Sequence, residues 1–145
     1  MNRRDFVVGG VSTAVLAGAL DARAAEPASP PKPPSGAGPA AALIDAAFAC
    51  LKVGEACRQH CLTLLGKGDT SLAECAASVA DMLVLCDALA KLAAQGSPQL
   101  GALAVVCGRA CRACEKACRP HEAHHAICKQ CAEACSVCAA QCEKL

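Results

Sequence analysis

Cysteine recurs every three or four residues along the last third of this chain. From Cys107 to Cys142 the sequence reads CGRACRACEKACRPHEAHHAICKQCAEACSVCAAQC, nine cysteines and three histidines in thirty-six residues. Side chains three, four and seven residues apart share one face of an α-helix. A run spaced in this way is therefore a stripe. One predicted helix carries Leu100, Ala104, Cys107, Cys111, Cys114 and Cys118 on a single face, and the next carries His121, His124, Cys128, Cys131, Cys135, Cys138 and Cys142. Upstream, the same alternation gives Ala47, Cys50, Gly54, Cys57, Cys61 and Leu64, and then Cys75, Val79, Met82, Cys86 and Leu89. The other faces are small or charged, with Lys52, Glu55, Arg58, Asp81, Arg109, Arg112, Lys129 and Glu133 among them. The stripes occupy the seam positions where a bundle places Leu and Ile. The thiols replace the hydrophobic core.

The punctuation divides the region into four helices. Pro39 or Ala40 opens the first, which runs to Leu65 before the turn Gly66-Lys67-Gly68-Asp69. Ser71-Leu72-Ala73-Glu74 has the form of a capping box and starts the second, which runs to Gln95 and stops at Gly96. Ser97 and Pro98 read as an N-cap and first-turn proline for the third, which Pro120 ends near Cys118. The fourth is expected from His121 to Glu143. Four helices of similar length with short turns predict an all-α, up-down-up-down four-helix bundle with a cysteine-lined core over residues 40–145.

The segments before it read differently. Residues 1–24 have the form of a signal peptide: a basic start with Arg3 and Arg4, an apolar run from Phe6 to Leu20, and an A-x-A cleavage pattern at Ala22-Arg23-Ala24, with Ala17-Gly18-Ala19 a weaker choice. The apolar run is too short for a comfortable membrane span, so no stable anchor is expected after cleavage. The paired arginines followed by Asp5 and Phe6 resemble a twin-arginine export signal, which implies a periplasmic protein that crosses the membrane already folded. Residues 25–39 are proline-rich and read as a flexible linker. With 14 Lys and Arg against 13 Asp and Glu, no broad electrostatic attraction to nucleic acid is expected. No catalytic triad, carboxylate pair or phosphate loop stands out, so no enzymatic activity is expected.

A cysteine seam buries less apolar surface than a leucine seam, so cross-linking is expected, through disulfides or through metal. A disulfide needs Cβ atoms about 3.8 Å apart, whereas i,i+4 neighbours on a helix sit about 5–6 Å apart. Two thiolates on one metal ion, each at about 2.3 Å, lie about 4.5 Å from each other. That span suits Cys57/Cys61, Cys107/Cys111, Cys114/Cys118, Cys131/Cys135 and Cys138/Cys142. Disulfides between helices stay open, and with them a stapled interaction module. Zinc prefers closed sets of four ligands, and a continuous stripe does not divide itself into fours. Iron–sulfur ferredoxins carry their cysteines in a loop pattern ending in Cys-Pro, which is absent here; an iron–sulfur electron carrier is the redox alternative. Cu(I) is soft and thiolate-seeking and accepts two or three shared sulfurs. Several Cu(I) ions per chain fit best, with zinc second.

The twin-arginine start, four helices and cysteine seam together resemble the copper storage proteins, over Leu43 to Leu145 for the bundle. The resemblance implies a store that binds many Cu(I) ions inside the bundle, supplies copper to copper enzymes and assembles as a homotetramer. The departure is the second helix, which has only Cys75 and Cys86.

Bundle topology gathers His60, Cys61, Cys75, Cys118, His121, His124 and His125 at one end. His121 and His124 are expected to join the thiols as metal ligands and to form a mouth for uptake and release, with His60 and His125 solvated. The opposite end, lined by Leu43, Ala47, Leu89, Ala93, Leu100 and Ala104, is expected to be an apolar plug. Met82 reads as a gap-filling core residue.

Overall fold

Four α-helices make up most of the residues described by the computed structural model, 39–145: α1 (Pro39–Leu65), α2 (Ala73–Ala94), α3 (Leu100–Cys118) and α4 (Ala126–Cys142). The proposed signal over 1–24 and all but the last residue of the linker over 25–39 lie outside the described residues. Each helix packs against its neighbours in sequence, and α4 closes the ring against α1. This is the expected all-α four-helix bundle.

Two glycines let the chain reverse sharply. Gly68, at φ 91°, follows α1, and Asp69 N–H then donates back to the Leu64 carbonyl at 3.1 Å. Gly96, at φ 61°, follows α2, and Ser97 N–H donates to the Leu92 carbonyl at 3.0 Å. In both turns the chain closes a Schellman-type cap, whose left-handed position favours glycine because it has no Cβ.

The helix starts depart from expectation in three places. The cap ahead of α2 is Asp69, not Ser71. Its carboxylate accepts from the Ser71 backbone N–H at 3.0 Å and from the Ser71 hydroxyl at 2.7 Å, and opens a 3₁₀ turn over Thr70–Leu72. The carboxylate takes up Ser71's own hydroxyl, so the capping box does not form. α3 begins at Leu100, after Ser97 Oγ accepts from Gln99 N–H at 3.2 Å. α4 begins at Ala126 rather than His121. Pro120 sits in a 3₁₀ turn, Arg119–His121, and His125 is extended at φ −131°, so helical geometry restarts only after it. The stripe on α4 therefore does not continue back through His121 and His124.

The core follows the cysteine stripes. All fourteen cysteines are buried, together with Ala47, Val79, Met82, Leu89 and Ala104. No polar or charged residue is buried among the described residues. Bulky apolar side chains are few. Leu43 and Leu89 fill the end where α2 turns into α3, and Leu72, fully buried in its 3₁₀ turn, lies at the other. Between them Met82 occupies the space left by Gly54 on α1: a Cβ at Gly54 would lie 2.7 Å from Met82 Cε and 2.9 Å from Leu83 Cδ2. Glycine at 54 thus lets α1 and α2 close around the thioether, in keeping with a packing role for Met82.

Candidate metal centre

The four stripes meet along the bundle axis and bring the thiols into five clusters. In each, the sulfurs lie within 4.8 Å of one another. The first takes one cysteine from every helix: Cys50, Cys86, Cys111 and Cys138. Toward the histidine end, Cys57, Cys61, Cys75 and Cys128 form a second set of four. Three sets of three complete the lining: Cys57 with Cys118 and Cys131, Cys107 with Cys138 and Cys142, and Cys114 with Cys131 and Cys135. Every cysteine of the chain belongs to at least one cluster, and Cys57, Cys131 and Cys138 each belong to two. The clusters are thus joined at shared corners into two strings, three linked through Cys57 and Cys131 and two through Cys138. A mutual spacing of at most 4.8 Å is compatible with two thiolates on one ion, which lie about 4.5 Å apart.

The joining is mostly across helices. The closest pairs are Cys75 and Cys118 at 3.2 Å, Cys61 and Cys75 at 3.7 Å, Cys86 with both Cys107 and Cys111 at 3.7 Å, and Cys114 and Cys131 at 3.8 Å. These are contacts between free thiols, well beyond the 2.05 Å of a sulfur–sulfur bond. Of the five pairs expected along single helices, Cys57/Cys61, Cys131/Cys135 and Cys138/Cys142 share a cluster; Cys107/Cys111 and Cys114/Cys118 are divided between clusters. The α3 cysteines reach toward α2 and α4 more than toward one another.

Thiol acidity is divided within each cluster. Cys75 is drawn down to about 3 by hydrogen bonds from Cys118 and Cys57, with Cys61 and Cys128 adding to the effect. It lies in the first turn of α2, where the helix dipole also favours a thiolate. Its neighbours are pushed the other way. Cys61 rises to about 12 and Cys128 to about 11, first through burial and then through the charge on Cys75. Cys111 falls to about 2 through hydrogen bonds from Cys107 and Cys135, and Cys131 and Cys138 also fall through their thiol neighbours. Each cluster therefore has at least one thiol poised to ionise, held by S–H donors that a metal ion would replace.

The raised thiols set a pH dependence for the metal-free protein. Cys61, Cys128 and Cys142 titrate at about 12, 11 and 12 when folded, against 9.0 for an unperturbed thiol. Below pH 9 both states are protonated and the stability is fully present; above it the unfolded thiols ionise first, and stability is lost as pH rises toward 12. The depressed thiols Cys75 and Cys111 act at the other end of the scale: what they contribute is present above pH 9 and is lost as pH falls toward 3. The urea midpoint of reduced, metal-free protein is accordingly expected to fall between about pH 8 and about pH 11. A flat or rising midpoint over that interval would contradict the burial of the thiols.

The histidines arrange themselves differently from the sequence pattern. His60 and His125 face each other, with Nε2 and Nδ1 3.1 Å apart, and both are half-buried. The ring of His121 lies 6.4 Å from that of His125, and His124 is exposed. None of the four belongs to a cluster with the thiols. Sequence reasoning expected His60 and His125 to be solvated and so gave them no role; they are half-buried against each other. Their meeting depends on the turn before α4, which helical periodicity does not describe.

A four-helix bundle with a core of free, mutually adjacent thiols defines a class of thiolate metal-binding proteins. Residues 37–145 match the family model of the copper storage protein, and the chain belongs to that family. No curated protein is close enough in sequence to match it.

Proposed function

We propose that the chain is an exported, periplasmic store for Cu(I), holding several ions on the thiolates of its core, without catalytic chemistry of its own. The observation that carries this reading is that all fourteen cysteines fall into clusters linked by shared members. Cu(I) accepts two or three sulfurs, so ions can occupy neighbouring clusters and share Cys57, Cys131 and Cys138. Zinc, which prefers four separate ligands, would find only two sets of four here. The ligands in this reading are the fourteen cysteines, with His121 and His124 at the histidine end among the groups that first meet the ion. Delivery to copper enzymes, a homotetrameric assembly and export by Arg3 and Arg4 complete the proposal, supported by the family and the N-terminal sequence.

Metal competition tests the choice of ion. Reduced protein incubated without oxygen in equimolar Cu(I) and Zn²⁺, then separated from free metal, should retain copper and leave the zinc behind. Retention of zinc in place of copper would overturn the assignment. So would a visible charge-transfer colour from protein purified with its native metal, because Cu(I) thiolates are colourless and iron–sulfur clusters are not.

A further inference from the structure

Thirteen of the fourteen thiols are at most 1 % exposed, whereas Cys142 is 5 % exposed. It sits at the end of the bundle opposite the histidines. The axial route at that end is filled by apolar side chains: Leu43, Ala47, Leu89 and Ala104 are each no more than 1 % exposed, Ala93 is buried and Leu100 is half-buried. Cys142 reaches solvent sideways. A groove of about 440 Å³ runs between α3 and the end of α4, with Cys142 in its lining beside Val105, Gly108, Arg109, Arg112 and Glu143. Gly108 makes the close approach possible: a Cβ there would lie 3.1 Å from Cys142 Cβ. At the histidine end, by contrast, Cys61, Cys75 and Cys128 are 0 % exposed and Leu72 is fully buried beside the turn.

Inward from the groove the thiols continue through two linked clusters. Cys142 clusters with Cys107 and Cys138, and Cys138 is also a corner of the cluster formed with Cys50, Cys86 and Cys111. On the rim Arg112 is engaged by Glu143 at 2.9 Å, whereas Arg109 is exposed and makes no ion pair among the described residues. The rim therefore offers positive charge to an anionic solute.

The geometry points to a second port, a lateral opening between α3 and α4 where Cu(I) carried by a small anionic ligand is exchanged with Cys142. The inference rests on the reading of the chain as a Cu(I) store and adds a route to it. In uptake, the bond from copper to the carrier breaks as a copper–sulfur bond to Cys142 forms. The Cys142 proton passes to the released carrier or to water, and no electron moves. The ion then shifts to Cys138 and Cys107, which frees Cys142 for the next.

Thiol footprinting tests the port without metal. Folded, reduced, metal-free protein is treated with less than one equivalent of a maleimide, and the modified residue is mapped by mass spectrometry. Access decides the expected result: Cys142 is labelled first. Label arriving first at Cys75, whose thiolate is the more readily formed, or spread evenly over the cysteines, would overturn the port. Fraying of the α4 terminus would also expose Cys142, but would be indifferent to the groove. The variant Val105→Trp fills the groove from a side chain that is 56 % exposed, so the fold should tolerate it. It should slow labelling of Cys142 at least about fivefold, because thiol reactivity follows exposure. It should also slow Cu(I) withdrawal by bathocuproine disulfonate with capacity unchanged. Equal rates in the variant and the parent would overturn the proposal. Failure of the parent to take up Cu(I) at equilibrium would instead defeat the storage reading, and the labelling result would stand separately.

Discussion

Loading with Cu(I) is expected to raise the unfolding temperature by tens of degrees while changing the far-ultraviolet circular dichroism little. The helices need no metal to form. Their ends are closed by Asp69 and by the turns at Gly68 and Gly96, and every one of these contacts is backbone or carboxylate. The weak part is the interior, where small thiols stand in place of Leu and the fully buried large side chains are few. A ligand that binds only the native state stabilises it by mass action, by about 4 kcal/mol for one site at a thousandfold excess over Kd. For a domain of about 100 residues each 1 kcal/mol shifts Tm by about 4–8 °C, so a single filled cluster is already worth about 16–32 °C. Scanning calorimetry on both forms checks this. A random-coil spectrum without metal, or a shift below about 10 °C at saturation, would contradict it.

The second large effect concerns the shared corners. Replacing Cys57, Cys131 and Cys138 together by Ser touches all five clusters. Replacing Cys61, Cys107 and Cys114 removes the same number of thiols but leaves two clusters whole, Cys50/Cys86/Cys111/Cys138 and Cys57/Cys118/Cys131. Serine keeps nearly the same volume and is a hard, poor ligand for Cu(I), so the comparison isolates connectivity. The corner variant is expected to retain less than about half of the copper and to lose most of the thermal gain, since linked sites do not contribute additively. The other variant should lose about one ion for each thiol removed. Equal losses in the two, measured by metal analysis after anaerobic loading, would mean that the clusters act independently.

Much of this arrangement was legible in the sequence because a helix maps spacing onto direction. The alternation of three and four from Cys107 to Cys118 and from Cys128 to Cys142 placed those thiols on one face, and they are buried. Pro39 and Leu65 bounded α1 as expected, and Gly96 ended α2. What escaped depends on relations between helices. Whether Cys86 meets Cys107 and Cys111, or Cys57 meets Cys128, is set by the rotation and stagger of neighbouring helices, which no single stripe encodes. The same holds for Cys142, an ordinary stripe position in the sequence that the neighbouring groove brings near solvent. At the histidine end the error was local. His121 and His124 keep helical spacing on paper, but Pro120 puts His121 in a 3₁₀ turn and the extended His125 separates both from Ala126, and His60 finds His125 instead.

The most direct test of the central claim is an anaerobic Cu(I) titration against a competing chelator, read as equivalents bound per chain. Thiolates that each bridge two ions, and ions that each sit between two thiolates, give a plateau approaching one copper per cysteine, near the 14 cysteines of the chain. A plateau at about three or four ions, as separate tetrahedral sites would give, would contradict the linked clusters and the storage function built on them.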